Sequence, residues 1–477
     1  MDFFSYNKSF INGEWVEGES SVSKAVDNPY DRQVLMEVKL ATLEQVRKAF
    51  SSAQLSQKEW GKTDAAERRI ILEKAVSVFE KYQPQLVETL IKDSGSTRMK
   101  AEFEVYATLL VMKESIKMTD KVYTKTELKS VFEGRKSYYY RLPKGVISCI
   151  SPFNFPMYLS ARTLFPAIAL GNTVVHKPDI KTAVSGGVIF AAILKEAGLP
   201  KGVYNLVLTN SREIGDEMLV NPAVARISFT GSTEAGRHIG EVAGRYLKDV
   251  SLELGGNNPF VVLGDADVDK AVACAIQGRF FHQGQICMST NRIIVSAPLY
   301  EAFVEKFVEA ARRVKCGDPS EKDTLVGPLI DERQIEKALK FVEDAKKAGN
   351  KLALEGKREG NVITPFVFVD VDNKDEIAQN EMFSPIVSII KAASDEEAIE
   401  LANDTPYGLS SAVHTGNLDK GFEAALKIES GMTHINDHTV QDEPAIPFGG
   451  VKASGIGRFG NPWIAEEFTE LKWVTVD

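Results

Sequence analysis

The stretch Phe281-His282-Gln283-Gly284-Gln285-Ile286-Cys287-Met288-Ser289-Thr290 sets one thiol, Cys287, behind a short polar loop. A thiolate attacks carbonyl carbon readily, so a cysteine presented beside a base can act as a covalent catalyst. Most intracellular cysteines are instead small buried hydrophobes. The apolar run 291–295 that follows reads as a strand able to anchor the loop. The rest of the chain has to decide between catalyst and core residue.

At 477 residues the chain exceeds the roughly 250–300 that one hydrophobic core supports, so two or more domains are expected. Apolar residues make up 44% and charged residues 26%, the balance of a globular chain. The formal charge of −9 is spread along the sequence without a basic run, which argues against a nucleic-acid partner. The four cysteines (Cys149, Cys274, Cys287, Cys316) show no CxxC or Cys/His spacing, so neither a metal site nor a disulfide framework is expected. No apolar run approaches the ~20 residues of a membrane span, and the first residues lack a signal-peptide core. A reducing cytoplasm is the expected compartment.

Those candidate residues need elements to hold them. The opening segment reads as a hairpin turning at Asn12-Gly13. Asp64 with Glu67 three residues on resembles a capping box before a helix, and a second helix is expected over 99–117. The charged, alternating stretch 123–142 reads as an exposed hairpin turning at Glu133-Gly134, either a solvated ribbon or a dimerisation arm. From Gly145 short apolar strands at 146–150, 173–177, 203–207 and 226–230 alternate with helices such as 183–197. That alternation implies a parallel sheet with helices on both faces and a ligand site beyond the strands' carboxyl ends. Phe229-Thr230-Gly231-Ser232-Thr233 runs from a strand into a helix N-terminus, where free amides can hold a phosphate; alone it is equally an ordinary N-cap. A second alternating region follows, with a strand at 258–262, helices over 300–314 and 331–348, and a strand at 385–390. The chain closes on an alternating strand at 467–476.

Seven stretches then coincide in order. They are Ser151-Pro152-Phe153-Asn154-Phe155-Pro156, His176-Lys177-Pro178, Phe229-Thr230-Gly231-Ser232, Leu252-Glu253-Leu254-Gly255-Gly256, Gly284-Gln285-Ile286-Cys287, Glu381-Met382-Phe383-Ser384-Pro385 and Pro447-Phe448-Gly449-Gly450 through Gly455. Together they resemble the NAD(P)-dependent aldehyde dehydrogenase superfamily over essentially the whole chain. The resemblance implies an α/β fold with two doubly wound parallel-sheet domains and a small β oligomerisation arm. Residues 1–121 and 143–255 would form the dinucleotide-binding domain and 256–455 the catalytic domain. The arm and tail would be 122–142 and 456–477, with the hairpin and the terminal strand building an inter-subunit sheet in a homodimer or homotetramer.

Roles follow from the same resemblance. Cys287 matches the nucleophile, Asn154 the oxyanion donor and Glu253 the base that activates water against a thioester. Lys177 matches a lysine that contacts the adenosine ribose, and it is counted with the catalytic set. For the coenzyme, NAD or NADP, the matching positions are Ile150, Ser151, Phe153, Lys177, Ile180, Gly231, Ser232, Leu254, Glu381 and Phe383. Phe155, Tyr158, Leu159, Phe281, Ile286 and Met288 would surround the mouth of the Cys287 site, and Arg162 would reach the same funnel. Residues 431–440 and the Asn257-Asn258 pair are similar to bacterial benzaldehyde and vanillin dehydrogenases, so an aromatic aldehyde is expected. Arg162 keeps succinic semialdehyde open as a rival, since it can pair with a substrate carboxylate or serve a structural ion pair. Ile180 stands where NAD-preferring members often carry a Glu, so either coenzyme is expected to work. Glu253 favours hydrolysis to a free acid over transfer to coenzyme A, and the intact site residues disfavour a purely structural protein.

Overall fold

The computed structural model describes residues 2–477; Met1, where the first expected domain begins, lies outside the described residues. Two large sheets organise the chain. The first has eight strands in the order Glu14–Val16, Ser9–Ile11, Tyr204–Leu206, Thr173–Lys177, Val146–Ile150, Val224–Thr230, Asp249–Glu253 and Gly455–Ile456. The strands from Tyr204–Leu206 to Asp249–Glu253 run parallel, and the outer ones pair antiparallel. Residues such as Val146, Ile147, Val174 and Val175 are buried, as a parallel sheet covered on both faces requires. Chain order reverses between Val146–Ile150 and Val224–Thr230, so a crevice opens beyond their carboxyl ends.

The second sheet has seven strands in the order Lys351–Leu354, Phe366–Val369, Ile386–Ala392, Thr290–Ser296, Asn258–Val262, Ser410–His414 and Met432–Ile435. Residues 254–257 carry the chain from the end of Asp249–Glu253 in the first sheet to Asn258 in the second. The chemistry expected of Glu253 and Cys287 therefore falls at the junction of the sheets.

A third, antiparallel sheet holds Thr126–Leu128, Lys136–Pro143 and Thr469–Val476. The hairpin turns where expected, with Gly134 at φ +82°. Within the chain the terminal strand pairs with the hairpin, from Thr469 opposite Pro143 to Val476 opposite Lys136. Thr469–Val476 and Thr126–Leu128 are the outer strands, each with one edge unpaired among the described residues, and such an edge can be extended by a second subunit.

The helices correct the sequence reading in two places. Asp64 caps the helix Ala65–Ser94 through the Ala66 amide at 2.7 Å, whereas a reciprocal capping box forms at Thr42 and Gln45, before the helix Leu43–Trp60. The helix expected over 183–197 begins as a π-helical turn, Val184–Val188, before Ile189–Glu196. A Cβ at Gly187 in that turn would lie 2.7 Å from Leu206 and 2.8 Å from Pro178, so glycine allows the close approach to the sheet. No described helix is long and apolar enough to cross a membrane.

Candidate active site

The loop before Thr290–Ser296 displays its thiol through an unusual backbone. His282 and Gln283 both lie at φ +51° and Gly284 at φ +73°, three successive left-handed residues. Such residues cost of order 1 kcal/mol each when they are not glycine, so the surroundings must hold them. Gln283 does so by donating to Pro328 O at 2.8 Å and accepting from the Gly327 amide at 3.1 Å. Gln285 accepts from the Ile330 amide at 3.1 Å. A Cβ at Gly284 would meet Ser384 O at 2.6 Å. Behind the thiol, Asn258 Nδ2 donates to Cys287 O at 2.7 Å and Ser289 O at 2.9 Å. Within 281–290 every residue is buried except Cys287, which is half-buried. Cys287 is thus the presented residue of the segment.

Asn154 follows the carboxyl end of Val146–Ile150 and donates through Nδ2 to Gln285 O at 2.9 Å. Asn154 and Cys287 form the common wall of two cavities. The first, of about 160 Å³, lies in the crevice of the first sheet and is lined by Phe153, Gly231, Ser232, Leu254, Glu381 and Phe383 among others. The second, of about 30 Å³, opens on the other side and is lined mainly by apolar residues: Phe103, Phe155, Tyr158, Leu159, Ile286, Met288, Val440 and Phe448, with Asp442.

The first cavity suits a dinucleotide. Ser232 caps the helix Thr233–Arg245 through the Ala235 amide at 3.3 Å, so a helix N-terminus faces the crevice. Glu381 accepts from the Gly256 amide at 3.3 Å, and burial pushes its carboxyl up to about 7, an effect the Gly256 bond partly offsets. The Phe153 and Phe383 rings meet edge to face at 6.0 Å. Ile150, Ser151, Lys177 and Ile180 lie at the neighbouring strand ends, outside this cavity's wall. Burial lowers the Lys177 ammonium. The charge of Asp179 opposes that lowering, while its side chain accepts from the Lys181 amide at 3.0 Å. Gln334 and Lys337, on the helix Glu332–Lys347, line the cavity without any local sequence motif to announce them.

Glu253 ends its strand with both carboxylate oxygens buried and without a hydrogen-bond partner. Burial pushes its carboxyl up to about 8, and the Arg162 guanidinium pulls in the opposite direction. Burial, then Glu381 and Glu253, push the Cys287 thiol up to about 12. The protein's own groups therefore favour neutral Cys287 and neutral Glu253 near pH 7.

Two expected wall residues lie elsewhere. Arg162 donates to Asp442 at 3.0 Å and its guanidinium lies 4.1 Å and 4.5 Å from the ring centres of Phe448 and Phe459. It does not line the apolar cavity; its charge is spent on Asp442, the structural alternative of the sequence reading. Phe281 is buried one layer back, edge to face with Phe103 at 6.1 Å, and Phe103 takes its place on the wall. Phe103, Val440 and Asp442 come from segments remote from the cysteine loop. Among the described residues no cluster of three or more His, Cys, Asp or Glu is placed to hold a metal.

Comparison with known proteins follows the same lines. The Aldehyde dehydrogenase family model matches residues 15–474. A vanillin dehydrogenase of Corynebacterium glutamicum is 46% identical over 471 residues, covering 98% of this chain and 97% of that protein. A benzaldehyde dehydrogenase of Bacillus subtilis is 43% identical over 474 residues, covering 98% of this chain and 97% of its own length. The crystal structure of an NAD-dependent benzaldehyde dehydrogenase from Corynebacterium glutamicum matches with a TM-score of 0.91 at 44% identity, covering 99% of this chain and 97% of that one.

Proposed function

The chain belongs to the aldehyde dehydrogenase family, and from that premise we propose that it oxidises aromatic aldehydes to carboxylic acids with Cys287 as the nucleophile. The carrying observation is the shared wall: Cys287 and Asn154 stand between a polar crevice and an apolar, aromatic-lined cavity. An aldehyde carbon entering from the apolar side meets the thiol with the Asn154 amide beside it. Cys287 gives up its proton to water, and its sulfur adds to the carbonyl carbon as the C=O π pair moves onto oxygen. The developing oxyanion is held by Asn154 Nδ2 and the Cys287 backbone N–H, donors whose loss typically costs about 2.7–4 kcal/mol. Bound in the crevice, held by Ser232, Glu381, Phe383 and their neighbours, with Lys177 toward the ribose, a nicotinamide dinucleotide would supply the hydride acceptor. The resulting thioester is hydrolysed by water that Glu253 deprotonates.

The named activities of the relatives support an aromatic substrate. So does the wall itself: burying ~100 Å² of ring at ~25 cal/mol/Å² contributes about 2.5 kcal/mol, near 70-fold over a two-carbon aldehyde. The Arg162–Asp442 pair removes the one cation that favoured a substrate carboxylate, which counts against succinic semialdehyde. The deciding experiment is kcat/KM for benzaldehyde, vanillin, acetaldehyde and succinic semialdehyde under one condition. Both aromatic aldehydes should lead; an aliphatic aldehyde that beats both sinks the substrate assignment and leaves the reaction type.

A homo-oligomer is also proposed, supported by exposed apolar side chains on the arm (Leu471, Trp473, Val476) and along one helix (Leu418, Phe422, Leu426). The four cysteines are all free thiols, which supports the cytoplasm as the compartment.

A further inference from the structure

Behind Asn154 lies a pair of charges that the proposed cycle does not use. Lys100 and Glu104, one turn apart on the helix Arg98–Ile116, are ion-paired and fully buried, each side chain 0% exposed. Pairs at this spacing ordinarily lie on helix surfaces, where they contribute little. Here the polar atoms are spent on the segment that carries Asn154. Lys100 Nζ donates to Ser96 Oγ at 2.9 Å, to the Asn154 backbone carbonyl at 2.8 Å, and to Glu104 Oε2. Three acceptors match the three protons of an ammonium. Glu104 Oε1 accepts from the amides of Met157 at 2.9 Å and Tyr158 at 3.1 Å. Those amides are unpaired donors at the start of the helix Pro156–Ala169, whose N-cap residue Phe155 gives no side-chain cap. The same ammonium sits 4.1 Å from the centre of the Phe155 ring, which meets the His282 ring at 5.6 Å.

We propose that Lys100 and Glu104 are the positioning pair that sets the Asn154 carboxamide against the Cys287 loop, an inference that rests on the oxyanion role given to Asn154. Lys100 fixes the residue's own carbonyl, and Glu104 fixes the helix start that follows. Between those two points the side chain completes its placement by the bond from Nδ2 to Gln285 O. A primary amide nitrogen carries two N–H groups in one plane, so holding the first on Gln285 O fixes the direction of the second. An apolar pair of equal volume would fill the space at less desolvation cost, but it would leave the carbonyl and both amides without partners. An oxyanion donor works only if its direction is set before the reaction, which gives this costly pair its purpose.

The test is the rate of the first NADH-forming turnover, followed by stopped flow with benzaldehyde and NAD. It compares Asn154→Ala, Lys100→Met, Glu104→Gln and the combinations of each pair variant with Asn154→Ala. Removing the donor should slow that step roughly 100-fold, and either pair variant should slow it at least about tenfold. In the Asn154→Ala background neither pair variant should add more than about twofold, since each acts through the missing amide. NAD affinity should be unchanged throughout. Melting temperature falls under a merely structural role too, so non-additivity is the readout that separates positioning from stability. Multiplying effects, or a wild-type first turnover in folded Lys100→Met or Glu104→Gln, overturns the pair's role and leaves Asn154 untouched. A wild-type first turnover in Asn154→Ala refutes the oxyanion reading itself, and the pair's role with it. Should Lys100→Met not fold, Glu104→Gln carries the same comparison.

Discussion

Glu253→Gln separates the two halves of the proposed reaction and also reports on the buried carboxyl's energetics. In the wild type, burial raises this group to about 8, and its oxygens have no hydrogen-bond partner. Acting as base it must be ionised, and with an apparent value near 8 it is roughly 10% ionised at pH 7 and 90% at pH 9. Thioester hydrolysis should therefore rise close to tenfold between those values. Glutamine cannot take a proton from water, so the variant should give a burst of about one NADH per site and then slow turnover that no longer follows pH through 8. The folded state prefers the protonated acid, so the unfolded chain gives up its proton first as pH rises. The wild type consequently loses stability from about pH 4.5 up to about 8 and no further. At about 1.4 kcal/mol per unit the full loss is on the order of 4–5 kcal/mol. Glu253→Gln should match the wild type in melting temperature at pH 5 and exceed it at pH 9. Stopped-flow absorbance gives the burst, steady-state rates give hydrolysis, and thermal scans at the two pH values give stability. Linear kinetics at near wild-type rate in the variant would refute the base assignment. A hydrolysis rate flat from pH 6.5 to 9.5 would refute the raised carboxyl.

Three other perturbations test separate parts of the site. Cys287→Ala should abolish oxidation while NAD still binds with its original affinity by fluorescence titration; more than a trace of turnover would unseat the nucleophile. Ile180→Glu places a second carboxylate beside Asp179 near Lys177, so NADP should weaken roughly tenfold more than NAD through repulsion of a 2′-phosphate. Equal effects on the two coenzymes would remove Ile180 from that subsite. Deleting residues 467–477 strips the strand Thr469–Val476 from the arm and should yield monomers or aggregates by light scattering; an unchanged oligomer would show that assembly does not use the arm.

Where the chain is covered on both faces, the sequence was readable to the residue. The strands Val146–Ile150 and Thr173–Lys177 fall where their apolar runs end, because burial leaves no ambiguity about their limits. Local motifs likewise marked the segments of Cys287, Asn154 and Glu253, which end a strand or lie in the short loops between neighbouring elements. What could not be read depends on distant chain. Arg162 looked like a substrate cation because its partner, Asp442, lies 280 residues away. Phe103 reached the apolar wall from a helix with no motif. Lys100 and Glu104 have the spacing of an ordinary surface pair, and only packing shows them buried. The terminal strand was readable as an alternating edge strand, but its register against Lys136–Pro143 was not.

The raised acids of the site have a common cause, and it orders the proposed chemistry. Glu253 is pushed to about 8 and Glu381 to about 7, in each case by burial first, while these two groups together add to the burial that pushes Cys287 to about 12. Coulomb coupling is mutual, so a thiolate at Cys287 also makes ionisation of Glu253 harder. The nucleophile and the base are therefore poor anions at the same moment. The sequence of steps removes the conflict. Sulfur spends its charge on the carbonyl carbon first, and in the thioester it is neutral. The thiolate that would oppose Glu253 is absent both from the resting site and from the thioester, so the base ionises for hydrolysis without that repulsion. Arg162, held on Asp442 and lowering Glu253, biases the same step in the same direction. A site that keeps both groups protonated at rest thus separates their two anions in time, because sulfur is charged only as it attacks and Glu253 ionises against a neutral thioester.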